Sequence, residues 1–309
     1  MHLRKQEIAS TDIGKGGFSI LSFICICPAC GHNCSSSTGL SFQNHRGDQP
    51  WHQCLFCRSF FDPKFYESEN EVLHTRSMPW GRADTGIQLS EFKTRMYRAV
   101  LALVKKHCPP PAVLLDVGCS FGGFLTEARK LGYHVAGSDI VPQAVDHVHS
   151  LGIPAEVSFS IRDIKLFENG TLDLITCLDC NYYWCDQPSE LRHAFVKLKR
   201  GGYLAMRVVD KSWMCTLGIK MSKIAPKIGK KVLKASVNDH RFSMPVRSLL
   251  NVIQSSGFQV VYISPRGAVH SHNSRWAVRA LFALGSFLWA TSGIFMAPGA
   301  VIFARKPVI

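Results

Sequence analysis

Four cysteines of the chain fall in two tight pairs, Cys27 and Cys30 in CPACG and Cys54 and Cys57 in CLFC. The spacing is C-x2-C-x23-C-x2-C. Four thiolates so placed suit a tetrahedral zinc ion, each pair carried on its own knuckle turn. Gly31 stands where the first knuckle wants a glycine. A site closed by four sulfurs is structural rather than catalytic. Cys25, Cys34, His32 and His52 are nearby alternatives, but only the two pairs share the short spacing. Twelve cysteines in a chain of 309 residues with a full apolar complement read as metal ligands and core residues of a reducing, cytoplasmic compartment. The apolar run FSILSFICIC (18–27) follows a glutamate and an aspartate and leads into the first knuckle, so no cleaved leader is expected there.

A second stretch, LLDVGCSFGGFL (114–125), can hold a ligand. An apolar strand carrying Asp116 runs into a turn with Gly118 and Gly122, and Gly123 opens the next helix. Glycines at such a strand end let a ligand approach the backbone closely. A second acid, Asp139, ends the next strand 23 residues later, where a ribose diol is hydrogen-bonded in nucleotide-type sites. The dinucleotide fingerprint needs glycine at 118, 120 and 123, and Ser120 breaks it. No G-K-[ST] follows, so a phosphate-cradling P-loop is excluded as well.

The elements that must position these residues follow from the apolar pattern. Residues 1–62 hold the ribbon and an N-terminal extension, and 63–111 form a polar, helical linker ending in FKTRMYRAVLALVKKH and closed by CPPP. From 112 to 309, apolar strands alternate with helices. The strands are AVLLDV, HVAGSDI, IPAEV, LDLITCL, YLAMRVV, FQVVYIS and GAVIFARK. Between them, GGFLTEARKLG, VPQAVDHVHSLG, SELRHAFVKLKRGG and SMPVRSLLNVIQSSG predict helices. Continuous apolar strands between helices imply an α/β, doubly wound, mainly parallel sheet covered on both faces.

These segments in this order resemble the class I S-adenosylmethionine-dependent methyltransferases. The D-x-G-x-x-x-G turn is similar to their first motif and VAGSDI to their second. TLDLITCLD, LRHAFVKLKRGGYLAMRV and HRFSMPVRSLLNVIQSSGFQVV resemble the later ones. The resemblance implies a Rossmann-like seven-stranded sheet. It also implies a cofactor set of Asp116, Gly118, Cys119, Ser120 and Gly122 around the methionine part, Asp139 on the ribose, and Ile140 and Asp163 at the adenine. Phe121 is expected to shape the methionine end. After the fourth strand of such a domain, relatives with a zinc ribbon often carry Glu-His; here the segment is LDCNYYWCD. That leaves His240 as the candidate base, with Asp179 next, and Tyr182 and Tyr183 as candidate walls of an acceptor pocket. The tail of the ribbon, RSFFDP, resembles that of bacterial enzymes acting on small molecules or glycan precursors.

The net charge is +14. From Lys211 to Asn238 there are seven lysines and no acid, and Leu217, Met221, Ile224, Ile228 and Val232 recur at helical spacing. This predicts one amphipathic helix within a basic insertion (211–240), kinked at Pro226 and suited to anionic lipid. Residues 280–304 carry no charge, but Pro298 and Gly299 interrupt them. Within the apolar segment 276–297 that leaves a helix of about 276–293, shorter than a comfortable bilayer span and suited to peripheral contact or a lipophilic acceptor. The expected activity is methylation of an oxygen on a small-molecule, glycan or lipid-linked acceptor. RNA base methylation is the competing expectation from the basic charge, disfavoured because LDCNYY is not of the Asn-Pro-Pro-Tyr type; a third is a cofactor-binding module with little turnover.

Overall fold

The computed structural model describes residues 26–33, 38–44, 47–62, 89–237, 242–265, 276–297 and 299–308. Its ribbon begins with a hairpin, β1 (Thr38–Asn44) and β2 (Gly47–Gln53), followed by a short β3 (Phe60–Phe61). Helix α1 (Glu91–His107) comes next, N-capped by the Ser90 side chain, which accepts the Lys93 amide at 3.2 Å. The alternating region then runs β4 (Val113–Val117), α2 (Gly123–Lys130), β5 (His134–Asp139), α3 (Pro142–Ser150), β6 (Ala155–Val157), β7 (Leu172–Leu178), α4 (Gln187–Lys197) and β8 (Leu198–Val209). After it come α5 (Ser212–Ile224), α6 (Pro226–Val237), β9 (Phe242–Ser243), α7 (Val246–Ser255), β10 (Gln259–Ser264), α8 (Trp276–Ser292) and β11 (Gly299–Arg305).

The main sheet has the order β10-β11-β8-β7-β4-β5-β6. Strands β4 to β8 pair in parallel, and β11 runs antiparallel to both β8 and β10. Strand order reverses between β4 and β7, which places a topological switch point at their carboxyl ends. The register aligns those ends: Asp116 lies beside Thr176, Val117 beside Ser138, and Leu178 beside Arg207.

Three elements differ from the sequence reading. Helix α1 buries Met96, Tyr97, Val100, Leu101 and Val104 in one core cluster with Leu114 and Phe124, so it belongs to the packed domain rather than to a tether. At about 1.5–3 kcal/mol for each large apolar side chain buried, that face holds it firmly. Helix α4 stops at Lys197 instead of the glycine pair. Leu198 is fully buried and already paired with Leu172 in the sheet, and a Cβ at Gly202 would press on carbonyl oxygens at 3.0–3.2 Å. The predicted kinked helix is a hairpin of two helices. Its chain breaks at Ala225, and α6 folds back on α5 where Gly218 faces Leu233 and Gly229 faces Ser222. A Cβ on Gly229 would sit 2.3 Å from the Ser222 amide nitrogen, so the crossing requires glycine there.

The ribbon is joined to the domain. Strand β3 pairs with β9, Gln187 N–H donates to the Pro28 carbonyl at 2.9 Å, and Ser248 Oγ donates to the Cys57 carbonyl at 2.7 Å. Ala29, Cys54 and Phe61 share a core with Trp184, Phe242 and Met244. Among the described residues, no helix is long and apolar enough to cross a membrane.

Candidate active site

Strand β4 delivers Asp116 to the sheet's upper edge with its carboxyl buried, accepting the Thr176 hydroxyl at 2.6 Å. Burial pushes its pKa up to about 7, against the Thr176 bond and with help from the nearby Asp139 charge. The chain then bends sharply. Gly118, Ser120 and Gly122 all have left-handed φ, at 74°, 49° and 74°. A side chain at Gly118 would strike the Cys180 Cβ at 2.7 Å, so β7's exit fixes glycine there. Ser120 adopts the same conformation with a side chain because its amide donates to Asp139 Oδ2 at 2.7 Å. Asp139 Oδ1 accepts the Val141 amide at 3.0 Å. Burial raises the Asp139 pKa, and the amides of Val141, Ser120 and Ile140 oppose it.

This arrangement fits a nucleoside carrying an amino acid. Asp139 is braced from both sides yet keeps acceptor capacity, since a carboxylate offers about four lone-pair sites. The bend at 118–122 exposes backbone rather than bulk, and Ile140 lies half-buried beside it. Cys119 and Phe121 turn inward: Cys119 is buried, and Phe121 is buried with its ring edge-on to His147 at 5.8 Å.

Across the switch point the polar groups are of another kind. Asp179 has φ 59° and ends β7, its Oδ2 bonded to Nη1 of the buried Arg207 on β8. Its other oxygen, Oδ1, is buried with no hydrogen-bond partner among the described residues. Two groups of α1 lean on this place. Lys93 is half-buried; burial lowers its pKa and the Asp179 charge opposes that. Tyr97 is buried, and its pKa is raised by burial and by the charges of Asp116 and Asp179. Tyr182 and Tyr183 follow on a turn of 3-10 helix (Asn181–Tyr183), rings 4.6 Å apart. Burial raises the Tyr182 pKa, and its ring packs against the core.

Asp163, expected at the adenine, follows β6. It is exposed on its own 3-10 turn and bonded to Arg162 Nε at 3.0 Å. His240 lies outside the described residues. Sequence reasoning missed Lys93, Tyr97 and Arg207. Only Arg207 left a local trace, as a lone cation inside the apolar strand YLAMRVV.

The cysteine pairs converge. Cys27 Sγ lies 3.7 Å from Cys57 Sγ, Cys30 Sγ lies 3.8 Å from Cys54 Sγ, and all four sulfurs are within 4.8 Å of one another. A tetrahedron of thiolates about 2.3 Å from a central metal has edges of about 3.8 Å, so the donor set fits such an ion. The knuckles match: Gly31 N–H donates to the Cys27 carbonyl at 2.9 Å and Arg58 N–H to the Cys54 carbonyl at 2.8 Å.

The strand order and the acids at its switch point define the class, an S-adenosylmethionine-dependent methyltransferase. A family model described as "Methyltransferase domain" matches residues 89–263, more than half of the chain, and the chain belongs to that family. It is similar to the ubiquinone biosynthesis O-methyltransferase of Xanthomonas campestris, with 32% identity over 109 residues, which are 33% of this chain and 45% of that protein. The Xanthomonas axonopodis enzyme of the same name is 31% identical over 34% of this chain and 46% of its own length. The match therefore spans under half the length of these curated relatives. Among solved structures, an S-adenosylmethionine-dependent methyltransferase of Mesorhizobium loti shows 16% identity and a TM-score of 0.46, covering 67% of this chain and 98% of its own.

Proposed function

We propose that the chain methylates an oxygen of a small-molecule or lipid-linked acceptor, with Asp179 as the base. The observation that carries this reading is the Asp179 Oδ1 atom, buried and without a partner at the carboxyl end of β7. The cofactor brings an already activated sulfonium methyl. What is left to the protein is to hold the acceptor in line and take a proton from its hydroxyl. Arg207 fixes one oxygen of Asp179 and so orients the other. Lys93 and Tyr97 close the same place from α1, and Tyr182 and Tyr183, both half-buried, are its candidate walls. In this reading Asp139 takes the ribose hydroxyls, the bend from Gly118 to Gly122 lies along the methionine part, Asp116 sits beneath it, and Ile140 lies against the adenine. The names of the curated relatives, oxygen methyltransferases, support the choice of atom. Zinc is the metal we assign to the four sulfurs, in a structural role.

The lipid-linked form of the reading rests on the helical hairpin. Ile224 is 88% exposed and Ile228 53% at its tip, among Lys220, Lys223, Lys227, Lys230, Lys231 and Lys234. An apolar tip ringed by cations suits an anionic bilayer surface.

Methyl transfer from labelled S-adenosylmethionine into lipid, small-molecule, glycan, RNA and protein fractions tests the assignment. Label is expected on hydroxyl-bearing lipid or small-molecule acceptors. Asp179→Asn should lower kcat about 100-fold at unchanged cofactor affinity. Label confined to RNA or protein, or an undiminished Asn variant, would overturn it.

A further inference from the structure

Past the end of β8, between the ribbon and the helices, lies a cleft of about 280 Å³, near the lower end of the range for ligand sites. Two cations line it: Arg58 from the second cysteine knuckle and Arg247 from the first turn of α7. Among the described residues neither guanidinium is paired with a carboxylate; Arg247 donates only to the Gly293 carbonyl, at 2.9 Å. The single acid of the cleft, Asp210, is spent. Its Oδ1 accepts the amide and hydroxyl of Ser212 at 2.9 and 2.6 Å, and its Oδ2 accepts the Val246 amide at 2.9 Å. Burial also raises its pKa to about 6. The remaining wall combines Trp213, Ile294 and Phe295. Trp213 Nε1 is a buried donor that no acceptor among the described residues reaches.

Arg58 is notable for where it sits. The first knuckle places Gly31 at φ 75°, in open space; the second places an arginine at φ 62° in the corresponding position. A residue with a side chain pays strain there that glycine avoids. The cleft and the base are linked through one strand end. Asp210 is three residues beyond Arg207, about 10 Å along the strand.

We propose that this cleft binds the acid group, carboxylate or phosphate, of the methyl acceptor between Arg58 and Arg247, so that the ribbon sets substrate specificity. The ligand has an anionic group for the two guanidinium forks and an apolar body for Trp213, Ile294 and Phe295. The word "acceptor" rests on the oxygen-methylation reading; the anion site rests on the cleft.

Calorimetry on the full chain loaded with S-adenosylhomocysteine tests both parts, using catechol, 3,4-dihydroxybenzoate and inorganic phosphate as probes. The carboxylated catechol is expected to bind about 10-fold more tightly than catechol, and phosphate to compete with it. Arg58→Gly, which installs the residue the first knuckle already uses, should abolish that advantage while cofactor affinity holds and the melting temperature does not fall. Arg247→Gln should reduce it independently. Equal affinity for both catechols without phosphate binding, or an advantage that survives both substitutions, would overturn the proposal. If phosphate binds the wild type but not Arg58→Gly and neither catechol binds, the anion site stands and the oxygen-acceptor reading is what loses support. If hydroxyl acceptors are methylated with or without the acid group and Arg58→Gly changes nothing, the cleft proposal alone falls.

Discussion

The two halves of the sheet's upper edge are built on different terms. On the β4–β5 side polar groups are answered by the protein itself: Asp116 by Thr176, Asp139 by the amides of Ser120 and Val141. On the β7–β8 side valences are left open, at Asp179 Oδ1 and Trp213 Nε1, and two arginines lie in a cleft whose one acid is already spent. A buried polar atom without a partner costs about 1–3 kcal/mol. Such atoms persist where something else supplies the partner. In the oxygen-methylation reading proposed above, the first half is a finished mould for one cofactor, and the second waits for groups that the acceptor brings.

Removing the brace of the finished half should give the largest effect. Asp139→Ala takes away both the acceptor of a ribose diol and the atom that holds Ser120 in its left-handed turn. Two charged hydrogen bonds at about 1.5–3 kcal/mol each predict a loss of S-adenosylmethionine affinity of about 1,000-fold by calorimetry. An affinity within 10-fold of wild type would mean that the β4–β5 side is not the cofactor mould.

Asp116 offers a test on the same side that reads stability. Its pKa is raised in the folded protein, from the ordinary 3.8 to about 7. The protonated form therefore favours folding. That contribution is fully present below about pH 4 and is lost as pH climbs through 7, amounting to about 4 kcal/mol. Asp116→Asn keeps an acceptor for the Thr176 hydroxyl and carries no charge to desolvate. In urea unfolding the variant should match the wild type near pH 4 and exceed it at pH 8. Identical pH profiles would show that Asp116 is not held in a desolvated site.

The two halves also differed in how far the sequence disclosed them. Asp116, the bend and Asp139 lie within 24 residues, in a local pattern of strand, turn and helix, and they could be read directly. So could the two knuckles, because their ligands come in short pairs. The β7–β8 side is assembled from distant segments: Lys93 and Tyr97 from α1, Asp179 from β7, Arg207 from β8 and Arg58 from the ribbon. Tertiary packing brings them together, and no local spacing marks it. The same cause hid the hairpin. Periodicity registers helix on both sides of Pro226, but the direction of α6 is set by Gly218 and Gly229 meeting Leu233 and Ser222. With α6 folded back, Leu217, Ile224 and Ile228 of the expected apolar stripe lie on the surface.

That exposed stripe extends the contrast to the outer surface and gives the smallest effect. Beside β4 and β5, Glu127 of α2 answers two cations: Lys130 of the same helix pairs with it at 2.6 Å, and Arg98 of α1 approaches the same carboxylate at 3.9 Å. Beyond β8, α5 and α6 carry lysines with no acid between them. If the open half faces a bilayer, Ile224→Glu with Ile228→Glu should weaken binding to phosphatidylglycerol-containing vesicles about 10-fold, through lost apolar insertion and added like charge. Fold and cofactor affinity should be kept, because both side chains are exposed. Pure phosphatidylcholine vesicles should bind the wild type weakly, and raising the salt should erase most of the difference between the two lipids. Equal binding of wild type and variant would make the hairpin a solvated surface element, and the lipid-linked form of the acceptor would lose its structural support. Methylation of a water-soluble hydroxyl by Asp179 would be untouched by that result, because Asp179 Oδ1 is buried at the end of β7 and owes nothing to the tip of the hairpin.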